Sequence, residues 1–345
     1  MTDLSPLSER VEAPHRLALP IHPDIALWRP LTADDADEVT ALQQAADAVD
    51  HPSWTTPRED IVEELGHSYV DLARDSLGGI DADGRIVAWG LNVMPPNPET
   101  LVRVLLLGTT HPSVRGAGIG RQLLQWQRGR AQQMLRGSNL PLPGWILQYL
   151  SAGNVPGIRL AELLGFHVGR YFATLTRDLA EPVDVPPEPD GVRIVPWRDE
   201  LSAATLAAKN EAFRDHWSSQ PTSAEQWRHL AGGEFFRPDL SFLALSADDP
   251  GTVAGLVLTS VLEHDWPHQG YTSSYIGFVA TRRPWRGRGV AAALLSRALD
   301  ASRKAGLEKA VLDVDTQNPS GAVALYTDLG FVPDDSRQVA MVLQY

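Results

Sequence analysis

Arg286-Gly287-Arg288-Gly289-Val290-Ala291 follows the strand-like stretch Ser274-Tyr275-Ile276-Gly277-Phe278-Val279-Ala280-Thr281 and opens an apolar helical run. An earlier stretch, Arg115-Gly116-Ala117-Gly118-Ile119-Gly120, stands in the same setting. A strand, a glycine-rich turn and a helix start, used twice, predict two anion-binding loops of one design. The first N–H groups of a helix have no partner within it, and the macrodipole places partial positive charge there. Glycines remove Cβ and permit the left-handed dihedrals of a backbone nest, so a pyrophosphate can approach. The arginines add formal charge suited to phosphate oxygens. A single copy reads equally well as a surface turn, and it is the repetition in one context that carries the inference. The spacing is neither G-x-x-x-x-G-K-[ST] nor G-x-G-x-x-G, which argues against an NTPase or a dinucleotide-dependent dehydrogenase.

The chain has 345 residues, enough for about two domains. With 43% hydrophobic and 21% charged residues it is of ordinary globular composition. A net charge of −13 argues against general affinity for nucleic acid or anionic membranes, so an anionic ligand must be held by local charge at Arg115, Arg286 and Arg288. There is no cysteine, which excludes disulfides and a cysteine nucleophile. No apolar run reaches transmembrane length and Met1–Pro6 has no signal-peptide pattern, so a soluble cytoplasmic protein, monomer or homodimer, is expected.

The Pro- and acid-rich stretch 179–190 reads as an extended linker, and residues 1–23, with several prolines and no period, as a loosely attached leader. The segments after the leader and after the linker are alike. Arg29 and Arg193 are 164 residues apart, as are Asn154 and Asn318, while Gly165-Phe166 and Gly330-Phe331 are 165 apart and Arg115 and Arg286 171. A duplicated domain is therefore predicted, 24–178 and 191–345. Each half shows a short first strand, a helical region, and a hairpin turning at Asp83-Gly84 or Pro250-Gly251. The strand, loop and helix come next, then a further strand, an Asn, a short helix and a Gly-Phe that opens the last strand.

This order, with R-x-x-G-x-G/A at the strand-to-helix turn and Asn318, Ala322, Leu325, Tyr326, Leu329, Gly330 and Phe331 after it, resembles the GNAT superfamily of N-acetyltransferases over nearly the whole chain, twice. The resemblance implies an α/β (α+β) fold of two tandem GNAT-like domains, each a mixed, mostly antiparallel sheet with a splayed parallel strand pair and flanking helices. It implies acetyl-CoA as cosubstrate and a small-molecule amine as acceptor, with direct attack of the amine on the thioester and no metal. The pyrophosphate would lie on Arg286, Gly287, Arg288, Gly289, Val290 and Ala291, and the pantetheine and thioester along Phe278, Val279 and Thr281, with Asn318 nearby. Arg115, Gly116, Ala117, Gly118, Ile119 and Gly120 would form a second, N-terminal loop. Tyr326 stands where related enzymes place a proton donor to the CoA sulfur. The matching position in the first half is Ala161, so catalysis is expected in the C-terminal half.

The general base is open. Glu263 and His264 in Glu263-His264-Asp265-Trp266-Pro267-His268 are the candidates, in a stretch that reads equally as a solvated loop. Phe213, Trp217 and Trp227 fall in the helical region that in this family lines the acceptor pocket, and read equally as core. Among two-domain members the architecture is similar to the mycothiol synthases, which carry an acidic residue on the fourth strand where this chain has Thr272-Ser273-Ser274-Tyr275. A non-catalytic acetyl-CoA sensor and a protein or peptide N-acetyltransferase are the alternatives.

Overall fold

The structure, a computed structural model, describes residues 4–317 and 321–345, so Asn318 lies outside the described residues. It forms two compact units, Met1–Tyr171 with Gln338–Tyr345, and Phe172–Arg337.

In the first unit α1 (Leu7–Arg10) precedes β1 (Leu27–Arg29), and the helices α2 (Ala36–Asp50), α3 (Arg58–Gly66) and α4 (Leu72–Asp75) lead to β2 (Ser76–Ile80). Thr32 and Asp35 form a capping box just before α2, and Asp35 takes two 2.7 Å bonds from Arg29. Strands β3 (Ile86–Val93) and β4 (Val102–Thr110), helix α5 (Ile119–Arg136), β5 (Gly144–Ser151) and α6 (Val155–Leu163) come after it. Neighbouring strands pair antiparallel from β1 to β4, and β4 pairs parallel with β5 over Val102–Leu105 only. One face buries Val104, Leu106, Leu124 and Ile146, and the other Val39, Leu42, Trp89 and Leu91. Burying such side chains stabilises by roughly 1.5–3 kcal/mol each.

The second unit repeats the plan. After β6 (His167–Asp178) come β7 (Val192–Pro196), α7 (Ser202–Ala212), α8 (Ala224–Gly232), β8 (Phe242–Ser246), β9 (Val253–Ser260) and the single turn α9 (Trp266–Gln269). Strand β10 (Ser273–Thr281), α10 (Val290–Lys304), β11 (Lys309–Asp315), α11 (Ala322–Asp328) and β12 (Val332–Gln344) complete the chain. The sheet runs antiparallel from β7 to β10, parallel between β10 and β11, and antiparallel from β11 to the 172–178 stretch of β6. Helix α10 buries Val290, Leu294, Ala298 and Leu299 against one face, while Leu243, Leu256 and Leu258 face α7 and α8.

The repeat read in sequence places residues 172–178 with the first half and 338–345 with the second; in the folded chain each belongs to the other unit. Phe172–Asp178 pairs with β11, and Gln338–Gln344 pairs with β5. Val339 and Met341 fill the first unit's core, and Ala173 and Leu175 the second's. The alternation of a strand records which face is apolar but not which strand it pairs with.

Two connecting segments are held more firmly than their composition predicts. The leader packs along α5: Leu7 and Val11 are buried, Leu17 fits over Gly129, and Gln133 and Gln122 donate to the carbonyls of Pro14 and Ile21. A Cβ at Gly129 would meet Leu17 at 2.8 Å, so this glycine, which weakens a helix in isolation, admits the leader. In the linker Leu179 is buried and donates its N–H to Glu308, and Glu188 accepts from the Ile194 N–H.

Candidate active site

The β10–β11 ladder sets the geometry. The two strands pair at Ser273/Lys309, Ser274/Ala310 and Tyr275/Val311 and then part, β10 keeping to β9 and β11 to β6. Where they part, β10 carries a register shift between Ile276 and Phe278, leaving Gly277 as the extra residue of a bulge. The Arg282 N–H donates to Ala254 on β9 at 2.9 Å. Backbone groups alternate along a strand, so those of Ala280 and Phe278 also face β9, while those of Thr281 and Val279 face the opening. Phe278 contributes its ring instead, edge-on to Phe213 at 5.6 Å.

The opening leads to the glycine loop. Gly287 (φ 74°) and Gly289 (φ 79°) are left-handed, and Gly289 caps α10, whose first N–H groups, from Val290 onward, lie outside the helical ladder. A Cβ at either glycine would meet nothing within 4 Å, so the need is for the dihedral and the surface above is clear. Arg286 braces the turn through Nε to the Thr281 carbonyl and Nη2 to the Ala212 carbonyl, both at 3.0 Å. Arg282 pairs with Glu211 and Arg283 with Asp215, whose carboxyl that guanidinium holds below its usual range. Arg286 and Arg288 have no carboxylate partner among the described residues, so the loop keeps net positive charge beside free N–H groups. This is the donor set a diphosphate requires.

The first unit repeats the backbone and changes the charge. Gly116 (φ 83°) and Gly118 (φ 102°) are left-handed, Gly118 caps α5, and Arg115 Nε reaches the Thr110 carbonyl at 3.2 Å. Here both Nη atoms go to Asp50, at 2.6 and 2.9 Å, and Asn154 Nδ2 adds a 3.3 Å bond to the same carboxylate. His22 lies over the loop with Nε2 2.9 Å from the Ala117 carbonyl. Ala161, at the position of Tyr326, is wholly buried in the core.

Tyr326 is buried on α11, 5.9 Å edge-on from Phe331. It shares an apolar cluster with Ile276 of β10 and Leu312 and Val314 of β11, with Val279 packed against it. Burial pushes its phenol up to about 12, so it carries its proton at neutral pH. Glu263 and His264 lie in a helical turn between β9 and β10: Glu263 is exposed, and His264 sits edge-on to Phe235 at 5.0 Å, 3.7 Å from Asp265. Among the described residues neither is hydrogen-bonded to Tyr275 or Tyr326. Trp227 is core, packed on Trp197 with Nε1 bonded to Ser202, whereas Phe213 meets Phe278 and Trp217 meets Phe172 on the α7 face of the sheet.

On that same face lies a group absent from the sequence-based set. The Tyr275 hydroxyl donates to Asp313 Oδ2 at 3.0 Å, and Thr174 Oγ1 to Asp313 Oδ1 at 2.6 Å. Burial, with the Asp313 charge second, pushes the Tyr275 phenol well above its ordinary value. The alternation of Leu312 and Val314 with Asp313 and Asp315 was the available signal, since it places the carboxylates opposite the α10 core.

Residues 203–331 match the model of the acetyltransferase (GNAT) family. A mycothiol acetyltransferase of Thermobispora bispora is 31% identical over 69% of this chain and 72% of its own length. A GCN5-related N-acetyltransferase from Sphaerobacter thermophilus aligns with a TM-score of 0.68 at 25% identity, covering 94% of this chain and 97% of that one. A tandem GNAT protein from the clavulanic acid biosynthesis pathway aligns with a TM-score of 0.69 at 19% identity, over 92% and 98%, a likeness of fold. Two splayed strand pairs, each ending in a left-handed glycine turn at a helix start, together with these relatives identify the chain as a member of the GNAT family of acyl-CoA-dependent acetyltransferases.

Proposed function

We propose that the chain transfers an acetyl group from acetyl-CoA to a primary amine of a small molecule, and that the second unit does so. The observation that carries this reading is the pairing, in that unit alone, of a glycine loop with unneutralised arginines and a buried, protonated tyrosine beside the strand opening. Acetyl-CoA supplies the acyl group as a thioester. The amides of the α10 start with Arg286 and Arg288 hold its diphosphate, and the open-edge backbone of Val279 and Thr281 aligns the pantetheine and thioester. The Val279 N–H is the donor for charge developing on the carbonyl oxygen. Tyr326 gives its proton to the departing sulfur, and its apolar surroundings keep that proton in place until the thiolate forms. Holding the two reactants in line supplies much of the remaining rate.

The mycothiol acetyltransferase relatives favour a small-molecule amine over a protein acceptor. A CoA-release assay over small amines, amino sugars, the acceptor of mycothiol acetyltransferases and peptides tests this, with mass spectrometry of the product. Release with a small amine is expected. Release with peptides alone would replace the acceptor class, and acetyl-CoA binding without release from any amine would leave a sensor.

A further inference from the structure

Neither strand β10 nor the Glu263–His264 turn places a carboxylate at the strand opening, yet the folded unit has one there. We propose that Asp313, on β11, holds the acceptor amine and receives its proton, with Tyr275 and Thr174 as the positioning residues that fix the carboxylate. The inference rests on the acetyltransferase reading above and names the group that reading leaves open.

The placement comes from the ladder. Tyr275/Val311 is the last β10–β11 pair, and Asp313 lies two residues farther along β11, about 6–7 Å at strand rise, on the same face as Val311 and Tyr275. It therefore sits on the β11 lip of the opening, with the bulge at Gly277 and the free backbone of Val279 on the β10 lip. Its Cα is opposite Thr174 on β6, so the two donors reach it from either side, one to each oxygen. The bonds fix the orientation of the carboxylate, which also lies near enough to Asp334 of β12 for the two charges to interact. The residue remains exposed despite these bonds, leaving acceptor capacity for a further N–H.

The surroundings fit an amine borne on an apolar body. Phe213 and Phe278 form one aromatic pair on this face and Trp217 and Phe172 another, all half-buried. Phe172 stands on β6 opposite Asp315, next along the face from the Thr174–Asp313 pair. Lys209 Nζ already stands over Phe213 and Phe278, at 5.7 and 5.1 Å from the ring centroids, so the Trp217–Phe172 pair, beside the carboxylate, is the one that attracts a cationic amine before it is deprotonated. The parting of the two strands explains why Asp313, flanked by the buried Leu312 and Val314, stays open to solvent.

The step balances. The amine nitrogen bonds to the acyl carbon and becomes strongly acidic, and its proton passes to an Asp313 oxygen. The carbon–sulfur bond breaks, Tyr326 Oη gives its proton to the sulfur, and solvent then takes the proton from Asp313 and restores that of Tyr326. An acceptor that arrives as the ammonium loses one further proton to solvent.

The test compares wild type, Asp313→Asn, Asp313→Glu and Tyr275→Phe for CoA release as a function of pH, alongside calorimetric titration with acetyl-CoA. Asp313→Asn is expected to lower kcat/KM for the amine by about 10²–10⁴ with acetyl-CoA affinity unchanged, the residual rate rising about tenfold per pH unit as neutral amine accumulates. Asp313→Glu recovers part of the rate. Tyr275→Phe is expected to raise KM for the amine while keeping most of kcat, because the carboxylate loses one of the two donors that orient it. An Asp313→Asn enzyme with wild-type rate and profile overturns the role of Asp313 and leaves the acetyltransferase reading standing. Loss of acetyl-CoA affinity in both Asp313 variants overturns it too, since a group facing the acceptor does not hold the nucleotide. Absence of CoA release from wild type with every amine removes the acetyltransferase reading, and this role with it.

Discussion

Arg115 and Arg286 hold the same strand-end carbonyl, Thr110 and Thr281, through the same Nε atom, and then diverge. Arg115 spends the rest of its guanidinium on the Asp50 carboxylate, and Arg286 on the neutral carbonyl of Ala212. The first loop thus repeats the backbone of an anion site with the charge of its leading arginine neutralised, while the second keeps that charge. The tyrosine falls on the same side of the division: Tyr326 in the second unit is replaced by the core residue Ala161 in the first. Under the proposed function, the partners of the arginine and the residue on the short helix, rather than backbone geometry, separate the active copy from the structural one.

The strongest challenge to that comparison is Tyr326→Phe. Turnover is expected to fall by about 10²–10⁴ with acetyl-CoA affinity unchanged, measured by CoA release and calorimetry. Unchanged turnover would remove Tyr326 from the mechanism.

The same residue predicts an alkaline signature. Its phenol, near 10 when unfolded, is raised to about 12 when folded, so its proton contributes stability that is complete below pH 10 and is lost as pH rises through 12. The loss is about 2–3 kcal/mol over that window. Denaturant melts of wild type against Tyr326→Phe should differ in slope with pH only there, and parallel curves would show that the phenol is not shifted.

The arginines separate the loops by a different readout. Arg286→Ala should raise KM for acetyl-CoA by about tenfold, a loss of one charge-assisted contact. Arg115→Ala should leave KM alone and lower stability by about 1–3 kcal/mol, because it leaves the largely buried Asp50 carboxylate without its guanidinium. A raised KM from Arg115→Ala would mean that the first loop serves the reaction.

Much of this was legible in local sequence. The glycine loops, the hairpins at Asp83-Gly84 and Pro250-Gly251, and the Ala161/Tyr326 difference each depend on residues close together in the chain. What escaped depends on distant partners. Asp50 is 65 residues from Arg115, Thr174 is 139 from Asp313, and the exchange of residues 172–178 and 338–345 is set by hydrogen-bond pairing that neither strand's alternation encodes. The leader escaped because Leu7, Val11 and Leu17 have no period of their own; they track the surface of α5. Asp313 lay in plain view in Leu312-Asp313-Val314-Asp315, but only the donors Tyr275 and Thr174 give that carboxylate a place at the opening.

A matched pair of variants separates the two loops and shows to which of them acyl transfer belongs. Gly118 and Gly289 both cap their helices in the left-handed region, so a β-branched residue strains either by a similar amount, at least about 1–2 kcal/mol. CoA release by Gly118→Val and Gly289→Val is then compared at equal folded concentration. Gly289→Val is expected to lose about tenfold or more of kcat/KM for acetyl-CoA while Gly118→Val keeps wild-type turnover. The reverse pattern, with turnover lost in Gly118→Val and kept in Gly289→Val, would contradict the placing of acyl transfer on the second loop.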